Sequence, residues 1–203
     1  MKRWIPVVML AVLPIAVDAQ SAAPPPSQAP AKAPAPPPDM SLKARFLAQY
    51  QYVRGNLVKM AEKMPAELYA YQPTPEIKTF AANMGHIIQS NAGQCASVTG
   101  RPNPFAGQNL EKTLVTKTEI VKAVHDSFAF CDEFFTKMTN EQLSGGTYEI
   151  TPTRDGQKIS LQVPYVSTAS SFISHNNEMY GYMSVYMRLK GIVPPSSDRT
   201  DGR

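Results

Sequence analysis

Four stretches of the chain carry apolar side chains at helical spacing. The first presents Phe46, Tyr50, Val53, Leu57, Met60 and Met64 in alternating steps of four and three, so all share one helix face. The third presents Ile120, Val124, Phe128, Cys131, Phe135 and Met138 in the same manner. The fourth presents Phe172, His175, Met179, Met183, Tyr186 and Lys190. Gly191 follows it as a helix stop, with Pro194-Pro195 beyond. The second stretch is less regular. Phe80, Met84, Ile87, Asn91 and Cys95 make one face, and His86 projects roughly 160° away from Met84. The neighbours of His86 on that side are small or polar: Ala82, Asn83, Gln89, Ser90 and Gly93. Either His86 points to solvent or this helix is covered on two sides.

Proline placement sets the limits of these helices, because a helix interior excludes it. From Met40 onward, proline occurs only at 65, 73, 75, 102, 104, 152, 164, 194 and 195. The gaps 40–64, 76–101, 105–151 and 165–193 each hold one of the four helices. Between the third and fourth helices, the runs 145–150 and 159–163 flank Arg154-Asp155-Gly156-Gln157. An Asp-Gly pair between alternating runs predicts a hairpin, too small to stand alone. The expected fold is all-α: an antiparallel four-helix bundle over 41–197 with a small β-hairpin-like insertion before the last helix.

The ends of the chain differ from this body. Lys2 and Arg3 precede an apolar run from Trp4 to Val17, and Val17-Asp18-Ala19 offers small residues for cleavage. Residues 1–19 are expected to be a secretory signal peptide, cleaved before Gln20 or, as second choice, before Pro24. The run is too short to span a bilayer core of about 30 Å as a helix. An uncleaved N-terminal anchor is the alternative. Residues 20–40 are rich in Pro and Ala and cannot bury enough apolar surface to order themselves, so they are expected to be a disordered tether. Residues 198–203 are expected to be a disordered tail. The protein is thus expected to be periplasmic or secreted, without a membrane anchor after cleavage.

Composition adds two points. With 43% apolar residues among 203, the chain can pack one core. A formal charge of +4, with no run of Lys or Arg, gives no support for a nucleic-acid partner. Cys95 and Cys131 fall on the apolar faces of two helices, and an exported context favours a disulfide between them. It would close a loop of about 37 residues and stabilise by about 3–4 kcal/mol in the chain-entropy model. Two buried free thiols are the alternative.

No phosphate-binding loop, Ser/His/Asp order, CxxC or paired-carboxylate pattern is present. The chemistry-bearing residues are three histidines, and His125 sits at the edge of the third stripe, as a surface residue would. Three segments carry a family likeness. One is Lys63-Met64-Pro65-Ala66-Glu67-Leu68-Tyr69 with Gln72-Pro73-Thr74-Pro75, and the next is Phe80 to His86. The last is His175-Asn176-Asn177-Glu178-Met179-Tyr180-Gly181, continued by Val185 to Gly191 and Pro194-Pro195. In this order and spacing they resemble the DinB-like, or YfiT-like, family of metal-dependent bundle proteins over roughly 41–197.

The resemblance implies an up-down-down-up bundle, a homodimer, and a metal held by three histidines. One comes from the second helix and two from the last at i and i+4, which share a face. A divalent ion so held, zinc or nickel, lowers the pKa of a bound water or activates a thiol. His86 and His175 match two ligands. The third position is Met179, a soft thioether that serves zinc or nickel poorly and Cu(I) better. Such a site holds a divalent metal weakly or not at all. Three readings follow. One is a non-catalytic relative that binds a small molecule. Another is an active hydrolase or thiol transferase using His86 and His175. The third is a copper binder using His86, His175 and Met179. Tyr50, Tyr180 and Tyr182 are the expected polar contacts of the pocket.

Overall fold

The structure, a computed structural model, describes residues 39–198. The expected signal peptide, nearly all of the tether and the last five residues of the tail lie outside the described residues.

Four long helices form the body. Helix α1 spans Leu42–Lys63, and the Ser41 hydroxyl accepts from Ala44 N at its start. Helix α2 spans Phe80–Thr99 and is capped by Thr79. It stops at Gly100, whose φ of 69° is the left-handed conformation that glycine adopts without a Cβ penalty. Two shorter helices then appear in a proline gap where the hydrophobic pattern shows only one. They are α3, Leu110–Thr113, and α5, Asn140–Gly145, on either side of the long α4, Lys117–Lys137. Thr116 with Glu119, and Thr139 with Gln142, form capping boxes that open α4 and α5. Helix α6 spans Tyr165–Leu189.

Helix α4 packs against α1 and α2, and α6 packs against the same two helices from the other side. Cross-links between helices fix their directions. Glu62 meets His125 while Arg54 meets Asp132, so α1 and α4 are antiparallel. Cys95 joins Cys131 while Arg101 meets Glu133, so α2 and α4 run parallel. Asn83 meets Tyr186 while Asn91 meets Asn176, so α2 and α6 are antiparallel. The bundle is therefore up-down-down-up, with the small strand insertion before its last helix.

The insertion is a hairpin of two ladders. Strand β1, Thr147–Ile150, pairs with β4, Leu161–Pro164. Strand β2, Thr153–Arg154, pairs with β3, Gln157–Lys158, across the Asp155-Gly156 turn. Both turn residues have positive φ, 51° and 75°. Pro152 lies at the break between the ladders, where it has no N–H to donate. The ribbon leans on α6 through the Tyr148 hydroxyl, 2.6 Å from Thr168 Oγ1.

The core is aromatic at one end of α1. Tyr50 stacks on Phe135 with centroids 4.0 Å apart, and Phe172 lies 5.0 Å from Phe135. The Cys95–Cys131 disulfide ties α2 to α4 in the interior. Along α6 the buried line differs from the expected stripe. It shares Phe172, Met183 and Tyr186 with that stripe and also runs through Ile173, Asn176, Tyr180 and Met187. His175 and Met179 are only half-buried, and Lys190 lies over the Tyr71 ring at 3.8 Å. A polar pair explains the displaced phase. The Asn176 amide donates to Asn91 Oδ1 at 2.7 Å and to the Phe172 carbonyl at 2.8 Å, so an asparagine occupies the core.

Helix α2 is covered on more than one side, by α4, α6 and α3, which answers how His86 and Met84 can both face protein. Among the described residues, no helix is long and apolar enough to cross a membrane.

Candidate functional site

The site begins with Gly85. A Cβ there would lie 2.4 Å from the Leu110 carbonyl oxygen and 2.9 Å from the Glu111 Cα. Glycine alone lets the α3 backbone settle directly on α2. Gln89 fixes the same contact by accepting from Leu110 N at 3.2 Å. This docking brings Glu111 to the next residue on α2. Glu111 Oε1 lies 2.7 Å from His86 Nδ1, and Oε2 lies 2.6 Å from Lys78 Nζ.

The Lys78 bond, helped by His86, holds the Glu111 carboxyl below the usual glutamate range. An ionised carboxylate only accepts, so His86 Nδ1 carries the proton of that bond. His175 faces the same ring from α6. The two imidazoles meet edge to face with centroids 5.2 Å apart, and His175 Nε2 is buried with no hydrogen-bond partner. Burial holds the His175 imidazole below the ordinary histidine range. The nearby His86 adds to this, and Glu178 opposes it.

A cleft of about 360 Å³ opens beside the pair, between the Glu76–Lys78 approach to α2, α2 itself and α6. Asn83, His86, Glu178, Met179 and Tyr182 are on its walls. The expected site residues therefore separate. His86 and His175 come together, and Met179 and Tyr182 share the cleft with His86. Tyr50 does not: it is 1% exposed, and its hydroxyl lies 2.8 Å from Asp132 Oδ1 and 2.9 Å from the Phe128 carbonyl. Tyr180 is also elsewhere, with its hydroxyl tied to Ser196 Oγ at 2.8 Å and Ser196 N at 2.7 Å. His125 stands at the surface, 2.9 Å from Glu62. Glu111, Lys78 and Asn83 were missed as site residues. Gly85 beside His86 was the available signal, since a glycine inside a helical pattern marks a close approach.

The domain is similar to known proteins. A family model described as the DinB superfamily matches residues 49–160. The chain belongs to the DinB superfamily. Its matched part includes His86 and Glu111 and ends before α6. Among solved structures, a DinB-like protein from Bacillus cereus ATCC 10987 aligns with a TM-score of 0.56 at 20% identity, covering 76% of this chain and 96% of that one. A conserved protein from Enterococcus faecalis aligns with a TM-score of 0.51 at 14% identity, covering 73% of this chain and 99% of that one. At these identities the likeness speaks for the fold. Comparison with curated proteins gives no match.

Members of the DinB superfamily often bind a divalent metal, and the donors here can be tested against that. Open catalytic zinc sites use three protein ligands. Here two imidazoles stand together, one of them with a buried, unpartnered nitrogen. Yet among the described residues no group of three His, Cys, Asp or Glu side chains is placed to hold one ion. Glu111 is already shared between Lys78 and His86. The donor set does not fit a three-ligand divalent centre.

Proposed function

We propose that this is an exported DinB-superfamily domain whose three-histidine centre is incomplete, and that it binds a small molecule in the α2–α6 cleft without metal catalysis. The observation that carries this reading is Met179. It stands where the resemblance requires the third histidine, and among the described residues no third His, Cys, Asp or Glu is placed with His86 and His175 to hold one ion. What remains is a formed cleft with apolar and polar walls at one end of the bundle. A volume of about 360 Å³ lies within the usual range of ligand pockets, roughly 300–1,000 Å³. The buried disulfide fits an oxidising compartment, in keeping with the signal-like sequence at 1–19.

The test is a fragment titration followed by ¹H–¹⁵N correlation spectra. Shifts should cluster on Asn83, His86, Met179 and Tyr182. Shifts scattered over the surface, or none, would reject the cleft as a binding site.

One observation favours a second reading, a Cu(I) site. His86 and Met179 border the same cleft, and Glu111 holds His86 as a carboxylate holds a metal-ligating histidine. Competition with a Cu(I) chelator decides it: copper uptake that disappears in Met179→Leu supports this reading, and no uptake removes it.

A further inference from the structure

The charges and polar groups of the cleft favour one class of ligand. The Tyr186 hydroxyl has one proton. It goes to the Lys78 carbonyl, 2.6 Å away, while Asn83 Nδ2 donates to the same hydroxyl at 3.1 Å. Tyr182 lies 3.4 Å from that hydroxyl. The Tyr182 hydroxyl is exposed and can offer a ligand its lone pairs as well as its proton.

Asn83 is left as an acceptor. Its two amide protons go to Tyr186 and, at 3.5 Å, to the Lys78 carbonyl, which leaves Oδ1 as an acceptor. His86 gives its Nδ1 proton to Glu111. Glu178 and Glu76 add carboxylates, and among the described residues neither has a cation within ion-pair reach. The ammonium on this wall, Lys78, has its charge met by Glu111 at 2.6 Å.

The walls therefore offer acceptors and negative charge, with apolar surface from Ile77, Met179 and the Tyr182 ring. Glu178 and Tyr182 are four residues apart on α6, so they share one face of the helix. A carboxylate beside an exposed aromatic ring suits a cation that carries N–H donors.

We infer that the cleft binds a small organic ammonium ion, a primary or secondary amine with an apolar body. The ammonium group lies among Glu178, Tyr182 and Asn83, and the body against Ile77 and Met179. A carboxylate of the same shape would meet the carboxylates of Glu76 and Glu178, while the Lys78 ammonium is already paired with Glu111, so it binds more weakly. The inference rests on the small-molecule reading above.

The experiment uses three probes with one body and different heads: 2-phenylethylammonium, 2-phenylethanol and 3-phenylpropionate. Each is titrated into the ¹⁵N-labelled protein. The ammonium should shift the cleft resonances with an affinity at least tenfold above the other two. Glu178→Gln should weaken it at least tenfold, and Tyr182→Phe, which keeps the ring and removes the acceptor, severalfold. Both positions are exposed, and unchanged melting temperatures show that the variants fold. Preferred binding of the alcohol or the carboxylate in the cleft overturns the amine while leaving the small-molecule reading intact. So does an ammonium affinity indifferent to Glu178→Gln. No cleft shift with any probe overturns both.

Discussion

At Gly85 the backbone of one helix comes closer to another than any side chain would permit. The 2.4 Å between a built Cβ and the Leu110 carbonyl is far inside contact distance, and the obstacle is backbone. Gly85→Ala should push α3 away from α2 and part Glu111 from His86. Overpacking of this kind costs about 1–3 kcal/mol. Chemical denaturation should show that loss, and the imidazole resonances of His86 should lose their carboxylate-bonded signature. His175 gives a second residue-scale prediction. Burial holds its pKa below the ordinary 6.5, so on acidification the unfolded chain takes up this proton before the folded one does. Stability present at neutral pH is lost as pH falls below about 6.5, down through the lowered folded value. Urea midpoints measured from pH 7.5 to 5.5 should fall, and His175→Gln should flatten the part of that slope that belongs to this ring. A slope unchanged in the variant would show that His175 is not its source.

At the scale of elements, the disulfide between α2 and α4 is the main covalent constraint. Its sulfurs join parallel helices across a 36-residue separation, and both cysteines are buried. Replacing both by alanine should lower stability by about 3–4 kcal/mol, read from denaturant midpoints with and without reductant. Reductant should then have no further effect on the variant. The four long helices were legible because proline gaps and a regular apolar period report the same boundaries. The short helices α3 and α5 were not, since four and six residues are too few to display a period. Part of the α6 stripe was misread for a different reason. A pattern search treats asparagine as polar, and Asn176 is buried because Asn91 receives its amide. That one pair displaced His175 and Met179 from the expected core line to the wall of the site.

For the whole molecule, fold and site were unequally readable. The up-down-down-up bundle, its ribbon and the meeting of His86 with His175 follow from periodicity and family likeness. The carboxylate on His86 does not, because Glu111 lies 25 residues away and reaches it only through a glycine contact. Tyr50 was drawn into the pocket by its polar tip, whereas its ring is what the core uses. The central claim is that this family fold persists here without a working metal centre. Its most direct test is metal content by mass spectrometry. The protein would be expressed for export and purified without chelator or affinity metal, with Met179→His beside it. The account predicts far less than one zinc or nickel per wild-type chain and near-stoichiometric metal in Met179→His. Near-stoichiometric zinc or nickel in the wild type would contradict it.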